Sequence, residues 1–261
     1  MATIAHQTHL TRPVSHPTGR WFFVGMALVM LAISIAGFLP AIIDPATRRA
    51  PLTPFAAAHG IVFLLWLLLY LAQSLFVANR RVDLHRRLGL TSIALLALMI
   101  PLGFTTTTAM VRRGFDLSGD QHVDLHPDGQ TSVDGPTASA GNFIALLAFF
   151  ILAGAAILYR HRPAVHKRLM LFGNITLMLA PIRHLLGHIR SNLLSPGSAA
   201  AFVVIYVSFL LAPVAFDFLT EKRVRFLTAG IAIGLFALLL LQALVIGPSA
   251  AWRHLAVWMS Q

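Results

Sequence analysis

Seven long apolar runs leave this chain few ways to fold. They cover roughly 21–43, 55–78, 88–111, 141–159, 169–189, 199–219 and 226–247. About 20 residues of helix cross a hydrocarbon core, and each run meets that length. The first, from Trp21 to Ile43, is too long for the apolar part of a signal peptide and reads as a retained span. Only 11% of the residues are charged and 57% are hydrophobic, where a soluble chain carries about a quarter charged. No stretch between the runs is long enough to bury a core of its own. The expected fold class is an all-α integral membrane protein of about seven transmembrane helices.

Charge sets the expected orientation. Arg80, Arg81, Arg86 and Arg87 form one basic cluster. Arg160, Arg162, Lys167 and Arg168 form a second, and Lys222, Arg223 and Arg225 a third. The three fall in alternate loops, so one cytoplasmic face can hold them all. The N-terminal tail, 1–20, is then cytoplasmic, and the C-terminal tail, 248–261, is extracytoplasmic. Arg48 and Arg49 fall on the opposite side in this scheme. The net charge of +11 is spent on orientation and anionic lipid rather than nucleic acid. With no cysteine in the chain, disulfides, thiolate metal sites and covalent c-type haem are excluded.

Two segments repeat. His85-Arg86-Arg87-Leu88-Gly89 and His166-Lys167-Arg168-Leu169-Met170 both stand where a basic loop enters an apolar run. Each is followed by a proline well inside the helix, Pro101 and Pro181. The pattern predicts a duplicated helical hairpin, about 55–111 and 141–189, within a transmembrane domain spanning 21–247. Two copies in the same orientation imply a pseudo-two-fold axis along the membrane normal. Helices 2–5 are expected to form a central four-helix bundle, with helices 1, 6 and 7 outside it.

Ionisable residues at membrane depth are costly and therefore informative. His59 lies a turn inside the outer end of helix 2, and Arg183, His184 and His188 lie near the outer end of helix 5. His184 and His188, four apart, share a helix face. The functional reading is an outer-leaflet imidazole site in which His59 and His184 ligate a metal or haem iron. Arg183 would meet a propionate, a quinone oxygen or a phosphate. The structural reading makes these residues interfacial, or partners of carbonyls freed by proline. His85 and His166 are either a second ligand pair or basic anchors reaching headgroups. Asp217 reads as a lone carboxylate near the inner end of helix 6.

The loop at about 112–140 is the extracytoplasmic acidic segment. It carries Asp116, Asp120, Asp124, Asp128 and Asp134 with His122 and His126. An EF-hand reading fails, because the twelfth position counted from Asp124 is Gly135. A solvated loop and weak divalent-metal capture both remain open. The 249–261 tail, with Trp252 and Trp258, reads as a short interfacial amphipathic helix.

The paired His-Arg-Arg-Leu and His-Lys-Arg-Leu motifs, His59-Gly60, the stretch from Trp66 to Gln73 and Arg183 resemble a family of bacterial polytopic membrane proteins to which no activity is assigned. The resemblance covers about 55–225 and implies the bacterial cytoplasmic membrane. A looser similarity, to transmembrane b-type cytochromes, implies haem b held by histidines near both faces. Helix 4 departs from that pattern, having Asn142 where a partner of His59 belongs. His166 and His184 are 18 residues apart, or roughly 27 Å at helical rise, long for two haem ligands on one helix. Three functional readings follow: a haem- or metal-binding redox or respiratory-assembly protein, with a respiratory complex or quinone as partner; a cofactor-free structural or assembly factor; and a small-molecule transporter. Residue types alone decide neither enzyme activity nor oligomeric state.

Overall fold

The computed structural model describes residues 18–124, 133–189 and 196–261. Among the described residues six helices are long and apolar enough to span a membrane, and a pair bent by 43° adds a seventh if it crosses as one span. The spans are α1 (Thr18–Ile43), α2 (Pro54–Ala78), α3 (Val82–Arg113), α4 (Gly135–Leu158), the pair α5 (Pro163–Thr176) and α6 (Leu179–Ile189), α7 (Pro196–Glu221) and α8 (Phe226–Leu241). A π-helical turn, Gln242–Ile246, continues α8, and α9 (Ala250–Ser260) ends the chain. The protein is an all-α membrane protein. Its described strands, β1 (Val123–Asp124) and β2 (Val133–Asp134), pair in parallel but are too short to form a layer.

Local sequence explains the helix ends. Thr53 caps α2 by accepting a hydrogen bond from the Ala56 amide at 3.1 Å, with Pro54 in the first turn. Gly114 ends α3 in the left-handed conformation, φ 69°, which glycine adopts without strain. Prolines begin α4 and α5 within their first two positions. The two prolines of the repeated motif behave differently. Helix α3 runs unbroken through Pro101. At the other, the helix breaks and α6 leaves α5 at 43°. Pro181 cannot donate to the carbonyl of Leu177, and its ring crowds that group.

Helices 2–5 of the span count pack as a bundle. Neighbouring α2 and α3, α3 and α4, and α4 and α5 lie side by side. Trp66 closes the set by donating its Nε1–H to Asn174 Oδ1 at 3.0 Å, joining α2 to α5. In hydrocarbon an indole N–H without such a partner is costly, so this bond fixes how α2 faces α5. Around it, Met99, Phe149, Leu171, Phe172, Ile175 and Met178 are fully buried. Helix α1 lies along both α2 and α6, while α7 and α8 pack on α5 and α6. Large apolar side chains such as Ile61, Leu90, Ile151 and Ile233 face outward, as a lipid-facing surface requires.

The bundle has two chemically different ends. One holds the basic turns 79–81, 159–162 and 222–225. The other gathers the α1–α2 connection, the 114–124 loop, the strands and α9. There the amides of Arg49 and Ala50 donate to the Gly119 carbonyl at 2.7 and 3.0 Å. Arg49 is thereby built into the acidic end. Helix α9 packs on α3 and α4. Its Trp252 donates Nε1–H to the Pro136 carbonyl at 2.8 Å, and Arg253 pairs with Asp134 at 3.1 Å.

Candidate functional site

The acidic loop folds back on itself before it meets the helices. Asp116 accepts from the backbone amides of Ser118 (2.9 Å), Gly119 (3.1 Å) and Gln121 (2.8 Å), and from the Ser118 hydroxyl. A backbone bridge between Phe115 and His122 closes the same turn. Gly119, at φ 82°, makes the tightest contact; a Cβ there would lie 2.2 Å from the Ala50 carbonyl oxygen. Carboxylate side chain and glycine together lay the loop over the end of α6 that carries His184 and His188.

That placement puts two aspartates around one imidazole. His184 Nε2 lies 3.6 Å from Asp116 Oδ2, and its Nδ1 lies 3.5 Å from Asp120 Oδ2. One ligand atom from each of Asp116, Asp120 and His184 falls within 4.8 Å of the others. All three side chains are nearly enclosed, with exposures of 8, 10 and 7%. Gln121 Nε2 stands 3.5 Å from His184 Nδ1, and Phe38 of α1 packs against the ring at 4.5 Å between centroids. His188, one turn on, donates its Nε2–H to the Gly37 carbonyl at 2.9 Å and lies 3.8 Å from Asp120 Oδ2. Within this shell, Asp120 Oδ1 is buried and has no hydrogen-bond partner among the described residues. A buried carboxylate oxygen without a donor is an acceptor suited to a cation or a donor hydrogen.

Burial by itself would raise the Asp120 carboxyl. The hydrogen bond and charge of His184, with Ser118 and the backbone amide adding to them, outweigh burial and hold it at about 2. A depressed carboxyl adds stability above its unfolded value, 3.8, and that contribution is lost as pH falls towards about 2. Replacing Asp120 by Asn should therefore flatten the acid limb of the stability profile between about pH 4 and pH 2. Unfolding midpoints of parent and variant over that range test this; parallel losses in both would assign the acid sensitivity to another group.

The remaining candidate residues lie in separate surroundings. His59 Nδ1 is 3.2 Å from Thr106 Oγ1 on α3, and its ring stacks on Phe63 at 4.1 Å. The Thr106 hydroxyl donates to the Leu102 carbonyl at 2.6 Å, so the imidazole supplies the hydrogen to Thr106. His59 and His184 thus have different polar partners, and α1 packs against the helix of each. Arg183 precedes His184 on α6, within the electrostatic reach of Asp116.

At the basic end, His85 and His166 meet edge to face, 6.2 Å between centroids. His166 Nδ1 bonds the Ala156 carbonyl at 2.7 Å, leaving Nε2 as the acceptor of the neutral ring. With its amide turned to match its neighbours, Gln73 donates to His85 Nδ1 and accepts from the Gly89 amide at 3.0 Å. The two rings of the repeated motif are thus held in opposite tautomers.

Asp217 is not the lone carboxylate that its sequence position suggested. It bonds Arg168 through both oxygens and also accepts from the Thr228 hydroxyl. Arg168 and Asp217 are 2% and 0% exposed, and Glu221 extends the network at 3.2 Å. Residue type had marked Arg168 as a headgroup anchor. Arg168 follows the 159–162 turn and Asp217 precedes the 222–225 turn, so the sequence shows a shared depth and no pairing. Asp116 and Asp120 gave a weaker signal, since a loop aspartate is ordinarily solvated. His126 and Asp128 lie outside the described residues.

Comparison of the chain with protein-family models, with curated proteins and with solved structures returned no match.

Proposed function

We propose that this protein is a metal-binding membrane protein that holds a divalent cation at its acidic end through His184, Asp120 and Asp116. The unpartnered Asp120 Oδ1, buried beside an enclosed imidazole, carries the reading. Two ligands about 2.1 Å from a tetrahedral ion stand roughly 3.4 Å apart, close to the 3.5 Å between His184 Nδ1 and Asp120 Oδ2. Asp116 already accepts four hydrogen bonds from its own loop. It joins the metal shell only by releasing one, and the Ser118 hydroxyl, which can rotate, is the one to yield. Until then Asp116 faces Nε2 from 3.6 Å, the side on which a carboxylate stands beside a metal-bound histidine.

One imidazole with two carboxylates suits a first-row divalent ion such as Mn²⁺, Fe²⁺ or Zn²⁺. Haem b would need an imidazole nitrogen turned to open space, and both nitrogens of His184 face carboxylates. The three basic turns favour a cytoplasmic location for the end opposite the site. The site then lies on the outer side of a bacterial cytoplasmic membrane.

The test uses full-length protein in detergent, stripped with chelator and titrated with Mn²⁺ and Zn²⁺ alone. The parent should bind one ion, His184→Ala and Asp120→Asn should bind at least about 100-fold more weakly, and His59→Ala should match the parent. Equal binding by parent and His184→Ala would sink the proposal. A Soret band in the purified parent, absent from His184→Ala, would put haem in place of the ion.

A further inference from the structure

A cleft of about 370 Å³ opens at the basic end, lined by Ala164 and Val165 of α5, Phe226 and Leu227 of α8, and the turn Arg223–Arg225. We propose that this cleft is a specific seat for the phosphate of an anionic phospholipid.

Charge is the first argument. Glu221 is already engaged by Arg168 at 3.2 Å and by Arg225 at 2.8 Å. Among the described residues no carboxylate pairs with Arg223, which is exposed at the cleft with Lys222 beside it. The cleft is therefore cationic, with its nearest carboxylate neutralised. Backbone polarity adds to this. The lining residues of α5 and α8 belong to the first turns of those helices, and neither helix has a side-chain cap. The Val165 amide already donates to the Arg162 carbonyl at 2.9 Å; the first-turn amides of α8 have no acceptor within their own helix, and such amides favour anions.

Position separates lipid from other phosphates. Helix α8 is the most apolar of the six single-helix spans, and the cleft stands at its first turn. Phe226, on the cleft wall, is 94% exposed. An anionic headgroup in the cleft therefore has an apolar flank beside it for its acyl chains, which a dissolved phosphate would leave uncovered. Arginine suits the head because its planar fork binds two phosphate oxygens at once.

Native mass spectrometry of the full chain, titrated with phosphatidylglycerol and with phosphatidylcholine, reads the site directly. One phosphatidylglycerol should bind in preference to phosphatidylcholine. Arg223→Gln should weaken it by about tenfold or more, the loss expected for a hydrogen bond to a charged group. Ala164→Trp fills the cleft without changing charge and should weaken it similarly. Arg87→Gln, an exposed arginine in another basic cluster, should leave the first bound lipid in place. Equal losses in Arg223→Gln and Arg87→Gln, or undiminished binding to a folded Ala164→Trp, would reduce the effect to diffuse attraction and overturn the proposal. Displacement of the lipid by millimolar inorganic phosphate would overturn the lipid assignment. Should Ala164→Trp fail to fold, the two arginine variants alone decide.

Discussion

Replacing Arg168 by Met should cost about 3–5 kcal/mol of stability, and replacing Asp217 by Leu a comparable amount. Both side chains are enclosed, so either change leaves a buried polar group facing a missing partner. Arg168 also donates to the Ala164 carbonyl at 2.8 Å and to Thr228 at 3.1 Å. One guanidinium therefore joins α5, α7 and α8. The double variant Arg168→Met, Asp217→Leu should recover most of the loss, since two apolar groups leave no orphan charge. Unfolding of the four proteins in mixed micelles gives the cycle. Additive single losses, with no recovery in the double variant, would show that the two residues act independently.

The second large effect is expected at Gly37. A Cβ there would sit 2.7 Å from the Pro181 carbonyl oxygen, 3.3 Å from the Leu185 amide nitrogen and 3.4 Å from His184 Cβ. Two of these are backbone atoms of α6 and cannot rotate away, so α1 must shift. Gly37→Ala should destabilise by about 1–3 kcal/mol, the usual range for overpacking. It should also weaken metal binding by about tenfold or more, because the Gly37 carbonyl holds His188 and α1 sets the depth of His184. Gly25→Ala on the same helix meets nothing within 4 Å and should be neutral or slightly stabilising, as helix propensity favours alanine. Matching stability and metal affinity in the two alanine variants would show that α1 does not set the geometry of the site.

The two effects belong to opposite ends of the molecule. The Arg168–Asp217 network fixes α5 to α7 and α8 at the basic end. Gly37 lets α1 approach the break before α6 at the acidic end. Between them runs the 43° bend, which directs α6 and its histidines towards the folded loop. The loop depends in turn on Asp116 and Gly119, which hold it against the α1–α2 connection. A site on a bent half-helix under a hydrogen-bonded loop is better ordered than one on a free loop, and pre-ordered donors lose less entropy on binding.

Length and hydropathy by themselves determined the six single-helix spans and marked the run that holds the bent pair, because each apolar run is near the thickness of a hydrocarbon core. The spacing of basic clusters determined which turns share an end, and the repeated motif brought His85 and His166 to that end together. His184 was legible as a costly residue at depth, but its partners were not. His59 looked like its partner because the two match in depth along their helices. Depth is a single coordinate, however, and α1 packs against the helices of both. Only the tertiary structure decided that Asp116 and Asp120 reach His184. That contact depends on how a loop closes and where a broken helix points, and neither leaves a periodic trace in the sequence. Asp217 followed the same rule. Its partner, Arg168, is 49 residues away and became visible only when α5 and α7 were packed.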